Sequence, residues 1–198
     1  MKSYSGRVGQ VLIVIGVLTL AYTASVRVYG EAYQSYQQRV FLRLLKTSEP
    51  EAPSSAAAGT ASPPLQSVIG RLDIPSVSLS VMILEGVGDS ELRLGVGHVP
   101  GTALPGETGN IGIAGHRDTF FRPLRKIDKN DVITLTTLQG VSRYQVEATW
   151  VTRPDDVAVL QSDSESVLTL VTCHPFSYIG SAPDRFIVRA RRISNSHS

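Results

Sequence analysis

The apolar and polar positions of this chain divide it into three stretches, of which the first is an uncharged apolar run. Residues 8–26, VGQVLIVIGVLTLAYTASV, are about as long as a helix that crosses the roughly 30 Å apolar core of a bilayer. Lys2 and Arg7 precede the run, so the positive-inside rule favours a cytoplasmic N-terminus. We predict a cytoplasmic tail over 1–7 and an uncleaved transmembrane anchor over 8–26. A cleaved signal peptide is the alternative, although no clean A-x-A site follows the run.

The second stretch, residues 27–66, has the pattern of a stalk. Its first part predicts an amphipathic helix, which lies on the membrane surface or forms a partly ordered support. Residues 47–66 are small, polar and rich in proline, which predicts a flexible tether. The apolar positions that predict the helix are Tyr33, Tyr36, Val40, Phe41 and Leu44.

The third stretch, residues 67–193, consists of short apolar runs broken by glycine, proline and aspartate, and residues 194–198 form a short tail. Tyr144, Val146, Ala148 and Trp150 alternate with polar residues, which predicts a half-buried strand. About seven short strands of this kind predict a closed or sandwiched β fold, and the pattern alone does not decide between barrel and sandwich. Other strands are predicted over 69–74, 79–84, 110–114, 132–137, 167–172 and 186–190, and helical turns over 118–127 and 154–160.

Composition narrows the function classes. The formal net charge of +2 and the absence of any basic run argue against a nucleic-acid partner. One cysteine allows no internal disulfide, so burial alone must stabilise the domain. The sequence contains no H-x-x-x-H, no C-x-x-C and no paired carboxylate cluster, so no metal or other cofactor is predicted.

The single cysteine, Cys173, ends the apolar run 167–173 and is a candidate reactive thiol, since exported proteins usually pair their cysteines or lack them. The alternative is a small buried apolar residue. His116, at the end of a glycine-rich strand, is a candidate acid and base, with His98 and His174 as rivals. Arg185 opens a strand and is a candidate cation for an oxyanion. These residues alone make cysteine-dependent acyl transfer plausible without deciding it.

The motifs around these residues resemble those of a known family. TLVTC, with an arginine twelve positions after its cysteine, resembles the TLxTC…R signature of sortases, and GHRDTFF resembles their histidine loop. The similarity extends over nearly all of 67–193 and is greatest to class D-type sortases. The resemblance implies a closed eight-stranded β-barrel with short helices. It also implies a membrane-anchored transpeptidase that cleaves an LPxTG-like sorting signal between threonine and glycine.

The family roles transfer to individual residues of this chain. The resemblance implies that Cys173 attacks the Thr–Gly carbonyl, that His116 protonates the departing amine and that Arg185 holds the substrate backbone or the oxyanion. His174 departs from the pattern, because the family often has tyrosine there, and a second titratable ring beside the thiol is expected to alter the pH profile at most. Some sortases bind calcium through scattered acidic residues, and no such set can be mapped here.

The implied partners are a surface or pilus protein that carries the sorting signal and an amine acceptor such as a cell-wall peptide or a pilin lysine. The catalytic domain is expected outside the cytoplasm. Two other functions stay open from the sequence. One is a hydrolytic cysteine endopeptidase with the same three residues, and the other is a non-catalytic membrane-anchored binding domain.

Overall fold

The computed structural model describes residues 2–47, 63–161, 164–178 and 180–193. A 46-residue helix, α1 (Lys2–Thr47), runs without interruption through the predicted anchor and the predicted amphipathic helix. In the part of the chain so described, no helix is long and apolar enough to cross a membrane. The tail 194–198 and most of the predicted tether, residues 48–62, lie outside the described residues.

Eight strands close into one barrel, which confirms the fold class that the resemblance implied. Around the barrel the order is β1-β2-β3-β4-β7-β8-β6-β5, and pairing of β5 with β1 closes it. The β2–β3 and β4–β7 pairs are parallel and the other pairs are antiparallel. The strands are β1 (Val68–Ile74), β2 (Leu79–Glu85), β3 (Val96–His98), β4 (Asn110–Gly115), β5 (Val132–Thr137), β6 (Gly140–Thr152), β7 (Val167–His174) and β8 (Asp184–Ile193).

The barrel interior is filled by apolar side chains from alternate positions of the strands. Because successive strand residues point to opposite faces, the positions between them form the outer face of the barrel. Each fully buried leucine or isoleucine stabilises the fold by about 1.5–3 kcal/mol. In the three strands that matter below, the interior residues include Ile111, Ile113, Leu168, Leu170, Val188 and Ala190.

Three elements were not predicted from the sequence, namely helix α2 (Asp89–Leu94), β3 and a short 3-10 turn at Pro75–Val77. β3 has only three residues and contains Gly97, so it offers no alternating pattern to read. Short 3-10 turns at Arg122–Lys126 and Val157–Leu160 fall inside the two predicted helical turns.

The long strand β6 differs from the prediction in its second half. Tyr144 and Val146 are buried as predicted, whereas Ala148 is exposed and Trp150 only half-buried. The register with β8 shifts by one residue between Val146 and Ala148. An extra residue at such a bulge breaks the two-residue period, so one alternating face cannot continue through it.

Helix α1 contacts the barrel through a polar side chain. The Gln34 Oε1 accepts a hydrogen bond from the Met82 backbone N–H at 2.9 Å, and its Nε2 donates to the Leu94 carbonyl. Met82 lies just before Ile83, where the short ladder with β3 begins, so Gln34 satisfies an amide that β3 does not reach. Tyr36, one of the residues of the predicted apolar face, is 65% exposed.

Candidate active site

Three neighbouring strands bring the predicted site residues to one end of the barrel. β4 and β7 are parallel and both finish there, while β8 is antiparallel to β7 and begins there. Cys173 pairs directly with Arg185 across the β7–β8 ladder. Gly115 pairs with Thr172, so His116 follows β4 beside the residue that precedes the thiol. We call this end of the barrel the site end.

Cys173 and Arg185 share the outer face of the barrel. Leu170 and Val188 belong to the interior, and Cys173 and Arg185 are each three positions away along their strands. An odd spacing places a residue on the opposite face of a strand, and directly opposed residues lie on the same face of a sheet. Both residues are half-buried, so Cys173 and Arg185 extend from opposed backbone positions on a face that solvent still reaches.

The backbone on which His116 stands is fixed on both sides. The Thr172 hydroxyl donates to the Gly115 carbonyl at 2.7 Å, which joins the ends of β7 and β4 next to the thiol and the imidazole. The Phe121 N–H donates to the His116 carbonyl at 3.0 Å and closes the turn. A Cβ on Gly115 would come within 2.7 Å of the Phe121 ring, so only glycine lets the ring pack under this strand end.

The connection between β6 and β7 lies against the outer face of β4. The Asn110 Nδ2 donates to the carbonyls of Val159 at 2.9 Å and Gln161 at 3.1 Å, and its Oδ1 accepts from the Thr169 hydroxyl at 2.7 Å. A Cβ on Gly112 would approach the Leu160 side chain to 2.8 Å, so this connection packs closely on the strand. It forms one flank of the outer face that leads to Cys173.

The connection between β7 and β8 forms the other flank. The Arg117 guanidinium donates to the carbonyls of Tyr178 at 2.7 Å and Gly180 at 2.8 Å. The Arg185 Nη1 donates to the Asp184 carbonyl at 2.9 Å, at the start of β8. The arrangement offers a thiol and a cation at the floor of an open face between two connections, which suits an extended peptide.

Comparison with known proteins agrees with this geometry. Residues 72–193 match the family model for the sortase domain. The chain belongs to the sortase family. Sortase D of Bacillus subtilis is 37% identical to it over 127 residues, which are 63% of this chain and 64% of that protein. Sortase A of Listeria monocytogenes is 30% identical over 124 residues, 61% of this chain and 55% of that protein. The alignments thus span less than two thirds of the length of either relative.

Solved sortase structures share the barrel. The chain is similar to a Clostridium perfringens sortase D5 transpeptidase, with a TM-score of 0.64, 29% identity and coverage of 83% of this chain and 98% of that one. It is also similar to sortase A of Listeria monocytogenes, with a TM-score of 0.59, 26% identity and coverage of 64% and 88%.

The two rival histidines of this sortase have other surroundings. His98 is 1% exposed; its Nδ1 lies 2.8 Å from the Glu85 carboxylate and its Nε2 lies 3.0 Å from the Ala103 carbonyl. Both ring nitrogens are therefore engaged inside the fold, so His98 cannot serve as a base for a substrate.

His174 follows Cys173 directly and so lies on the opposite face of β7. Its ring stacks on Phe186 at 6.4 Å and meets the edge of Phe176 at 6.0 Å. Among the residues described, its Nδ1 is buried without a hydrogen-bond partner. His174 therefore packs in an aromatic cluster at the site end. His116 directly follows Gly115, which pairs with the residue before Cys173, and it stays the candidate acid and base.

Sequence reasoning missed three residues that hold the site together: Asn110, Arg117 and Thr172. Thr172 and Asn110 are polar residues in apolar strands, and a buried polar residue normally requires a partner, which was the available signal. Arg117 gave none, because its partners lie about sixty positions away. In the described ranges no three His, Cys, Asp or Glu side chains are grouped as metal ligands.

Proposed function

We propose that this sortase is a cysteine transpeptidase that cleaves an LPxTG-like sorting signal and transfers the acyl part to a primary amine. The observation that carries the proposal is the direct pairing of Cys173 with Arg185, with His116 following the adjacent strand. In this proposal Cys173 is the nucleophile, His116 the acid and base, and Arg185 the cation that faces the substrate.

The proposed reaction has two steps. The Cys173 thiol passes its proton to His116 as its sulfur bonds to the threonine carbonyl carbon, and negative charge gathers on the carbonyl oxygen, which the Arg185 guanidinium stabilises. The C–N bond then breaks, the departing glycine amine takes a proton from His116, and a thioester remains. An incoming primary amine attacks the thioester and gives a proton to His116. The C–S bond then breaks, an amide forms, and the sulfur takes that proton back from His116 to restore the thiol.

The proposed partners are a surface or pilus protein that carries the sorting signal and an acceptor amine from a cell-wall peptide or a pilin lysine. We also propose that the run 8–26 anchors the chain in the cell membrane, with the N-terminus cytoplasmic and the barrel outside, although no described helix meets the length and apolarity of a membrane span. The uncharged run 8–26 supports this, as does the exposure of its apolar side chains, among them Ile13 at 67% and Leu20 at 72%. Two deletions test the anchor. We expect deletion of 8–26 to release the chain from membranes and deletion of 48–62 to leave it membrane-bound.

Mass spectrometry of the chain with an LPxTG-type peptide tests the reaction. We expect an acyl adduct on Cys173, and a new amide product when triglycine or a lysine peptide is added. Hydrolysed peptide alone, with and without the amine, would favour the endopeptidase. No adduct and no cleavage with a panel of sorting-signal peptides would favour a binding domain and refute the proposal.

A further inference from the structure

Arg117 links the segment that follows His116 to the connection between β7 and β8. Its Nη2 donates to the carbonyls of Tyr178 at 2.7 Å and Gly180 at 2.8 Å, and its guanidinium carbon lies 5.8 Å from the Tyr178 ring centroid. This connection leaves Cys173 at one end and returns to Arg185 at the other. One side chain therefore joins the three segments that carry the candidate catalytic groups.

The surroundings of Arg117 are not those of a solvated surface cation. The side chain is half-buried, and its Nη1 is buried without a hydrogen-bond partner in the described part of the chain. Hydrogen bonds from a guanidinium to carbonyls are charge-assisted and stronger than neutral ones. Gly180, whose carbonyl accepts one of these hydrogen bonds, has φ of 98°, a conformation that favours glycine.

We propose that Arg117 is a positioning residue that holds the β7–β8 connection as one wall of the substrate groove beside Cys173. The identity of the substrate, an extended sorting-signal peptide, rests on the function proposed above. Arg117 acts through the connection and not on the reacting atoms. Its loss lets the wall move relative to the thiol, so a bound peptide is held less firmly while the thiol itself is unchanged.

Chymotrypsin tests the contact without any substrate, because Tyr178 is 49% exposed and is itself a cleavage site of this protease. Arg117→Met removes both hydrogen bonds and keeps a long side chain. We expect cleavage after Tyr178 in the native full-length chain to become at least about fivefold faster, since proteolysis follows local opening. Arg117→Lys should be intermediate, because an ammonium keeps the charge without the planar fork.

The matched control is Arg143→Met, an exposed arginine of β6 near the opposite end of the barrel, which should leave the cleavage rate unchanged. Circular dichroism melting establishes that each variant is folded. Fragment masses identify the cleavage after Tyr178 among the other sites of the chain.

Steady-state kinetics with a donor peptide test the role in the groove. For Arg117→Met we expect KM to rise about tenfold and kcat to change by less than about twofold. Such a result means that the donor peptide binds more weakly while the chemical steps proceed at the same rate. Alkylation of Cys173 by iodoacetamide, which does not use the groove, should stay within about twofold of the wild type, because the thiol's own surroundings are retained. A general loss of structure would alter all three measurements.

Three results would overturn parts of this account. Equal cleavage after Tyr178 in Arg117→Met and wild type would show that Arg117 does not hold the connection. Faster cleavage with an unchanged KM would show that the connection does not position the peptide. A wild-type chain that no donor peptide acylates would refute the proposed function instead, and the cleavage comparison would still decide whether Arg117 holds the connection.

Discussion

Cys173 and Arg185 face each other as a directly opposed pair on β7 and β8. Opposed residues of an antiparallel ladder have Cβ atoms about 4.5–5.5 Å apart, so the register places the start of the arginine side chain beside that of the cysteine. The Arg185 Nη1 also donates to the Asp184 carbonyl, which limits how far the guanidinium can swing. The pairing therefore requires no flexible loop to bring the two groups together.

Replacement of Arg185 by lysine tests whether the planar guanidinium matters. We expect Arg185→Lys to reduce kcat/KM for the donor peptide about 100-fold or more, because a point charge on a flexible stem cannot reproduce a fork aimed at an oxyanion. Single-turnover acylation measures this, and a melting curve checks the fold. Turnover like that of the wild type in the lysine variant would remove the role assigned to Arg185.

Two histidine variants test which imidazole acts in the reaction. His116→Ala should reduce acyl transfer by about 100-fold to 10⁴-fold, the usual contribution of general acid–base catalysis. His174→Phe, which retains an aromatic ring between Phe176 and Phe186, should keep a rate within about threefold, because volume-conserving changes in packed clusters are well tolerated. The opposite order of the two rates would assign the base to His174.

Thr172→Val tests the hydrogen bond that joins the ends of β4 and β7. Valine has nearly the shape of threonine but cannot donate to the Gly115 carbonyl. We expect the free energy of unfolding to fall by about 1–3 kcal/mol, the cost of leaving a buried carbonyl unpaired. Donor acylation should fall as well, since His116 follows that carbonyl directly.

Urea unfolding and single-turnover acylation of the same Thr172→Val sample give the two effects. Thr149→Val, a change of the same chemistry at an exposed position of β6, serves as a control for the substitution type in the unfolding measurement. Acylation at the wild-type rate in a Thr172→Val chain of reduced stability would separate the hydrogen bond from the positioning of His116.

The burial of the Tyr144 phenol predicts that the fold loses stability in alkaline solution. Its hydroxyl is buried in the barrel core, and burial raises the pKa of Tyr144 above the usual 10.0 because the phenolate would lose its hydration. A group whose pKa is higher in the folded state stabilises the fold fully below its unfolded pKa. That stabilisation is lost as pH rises above about 10 through the folded pKa, by at most about 1.4 kcal/mol per pH unit.

Tyr144→Phe should remove this alkaline loss. At pH 7 the variant should be as stable as the wild type or slightly more stable, since the Tyr144 hydroxyl has no hydrogen-bond partner among the described residues. Urea unfolding at pH 7, 9 and 11 provides the comparison, with Tyr36→Phe, a 65% exposed tyrosine, as the control. An identical pH dependence of wild type and Tyr144→Phe would show that this phenol does not titrate on unfolding.

The sequence predicted most of the barrel because alternation and turn residues are local signals. The strand over 132–137 was predicted with the bounds that the structure has, and six of the other strands differ from their predicted bounds by a few residues at their ends. β3 was missed, since three residues with a central glycine carry no period. The faces of β6 beyond Val146 were wrong, because nothing in the local pattern marks the bulge.

The sequence predicted the candidate site only as residue types, and its assembly depends on contacts between distant segments. That Cys173 opposes Arg185 follows from the β7–β8 register, which a pattern along one strand does not determine. The choice among His98, His116 and His174 required burial and ring contacts. Arg117 and Gln34 bind backbone groups of remote elements, and hydrogen bonds of that kind leave no periodic trace in the sequence.

The position of β8 in the barrel has a consequence for when the site forms. β8 is the last strand to be synthesised, yet it inserts between β6 and β7 and supplies Arg185. A nascent chain that ends before residue 184 can hold Cys173 at the rim of an open sheet but has no guanidinium to place beside it. The complete site can therefore form only once β8 has joined the barrel.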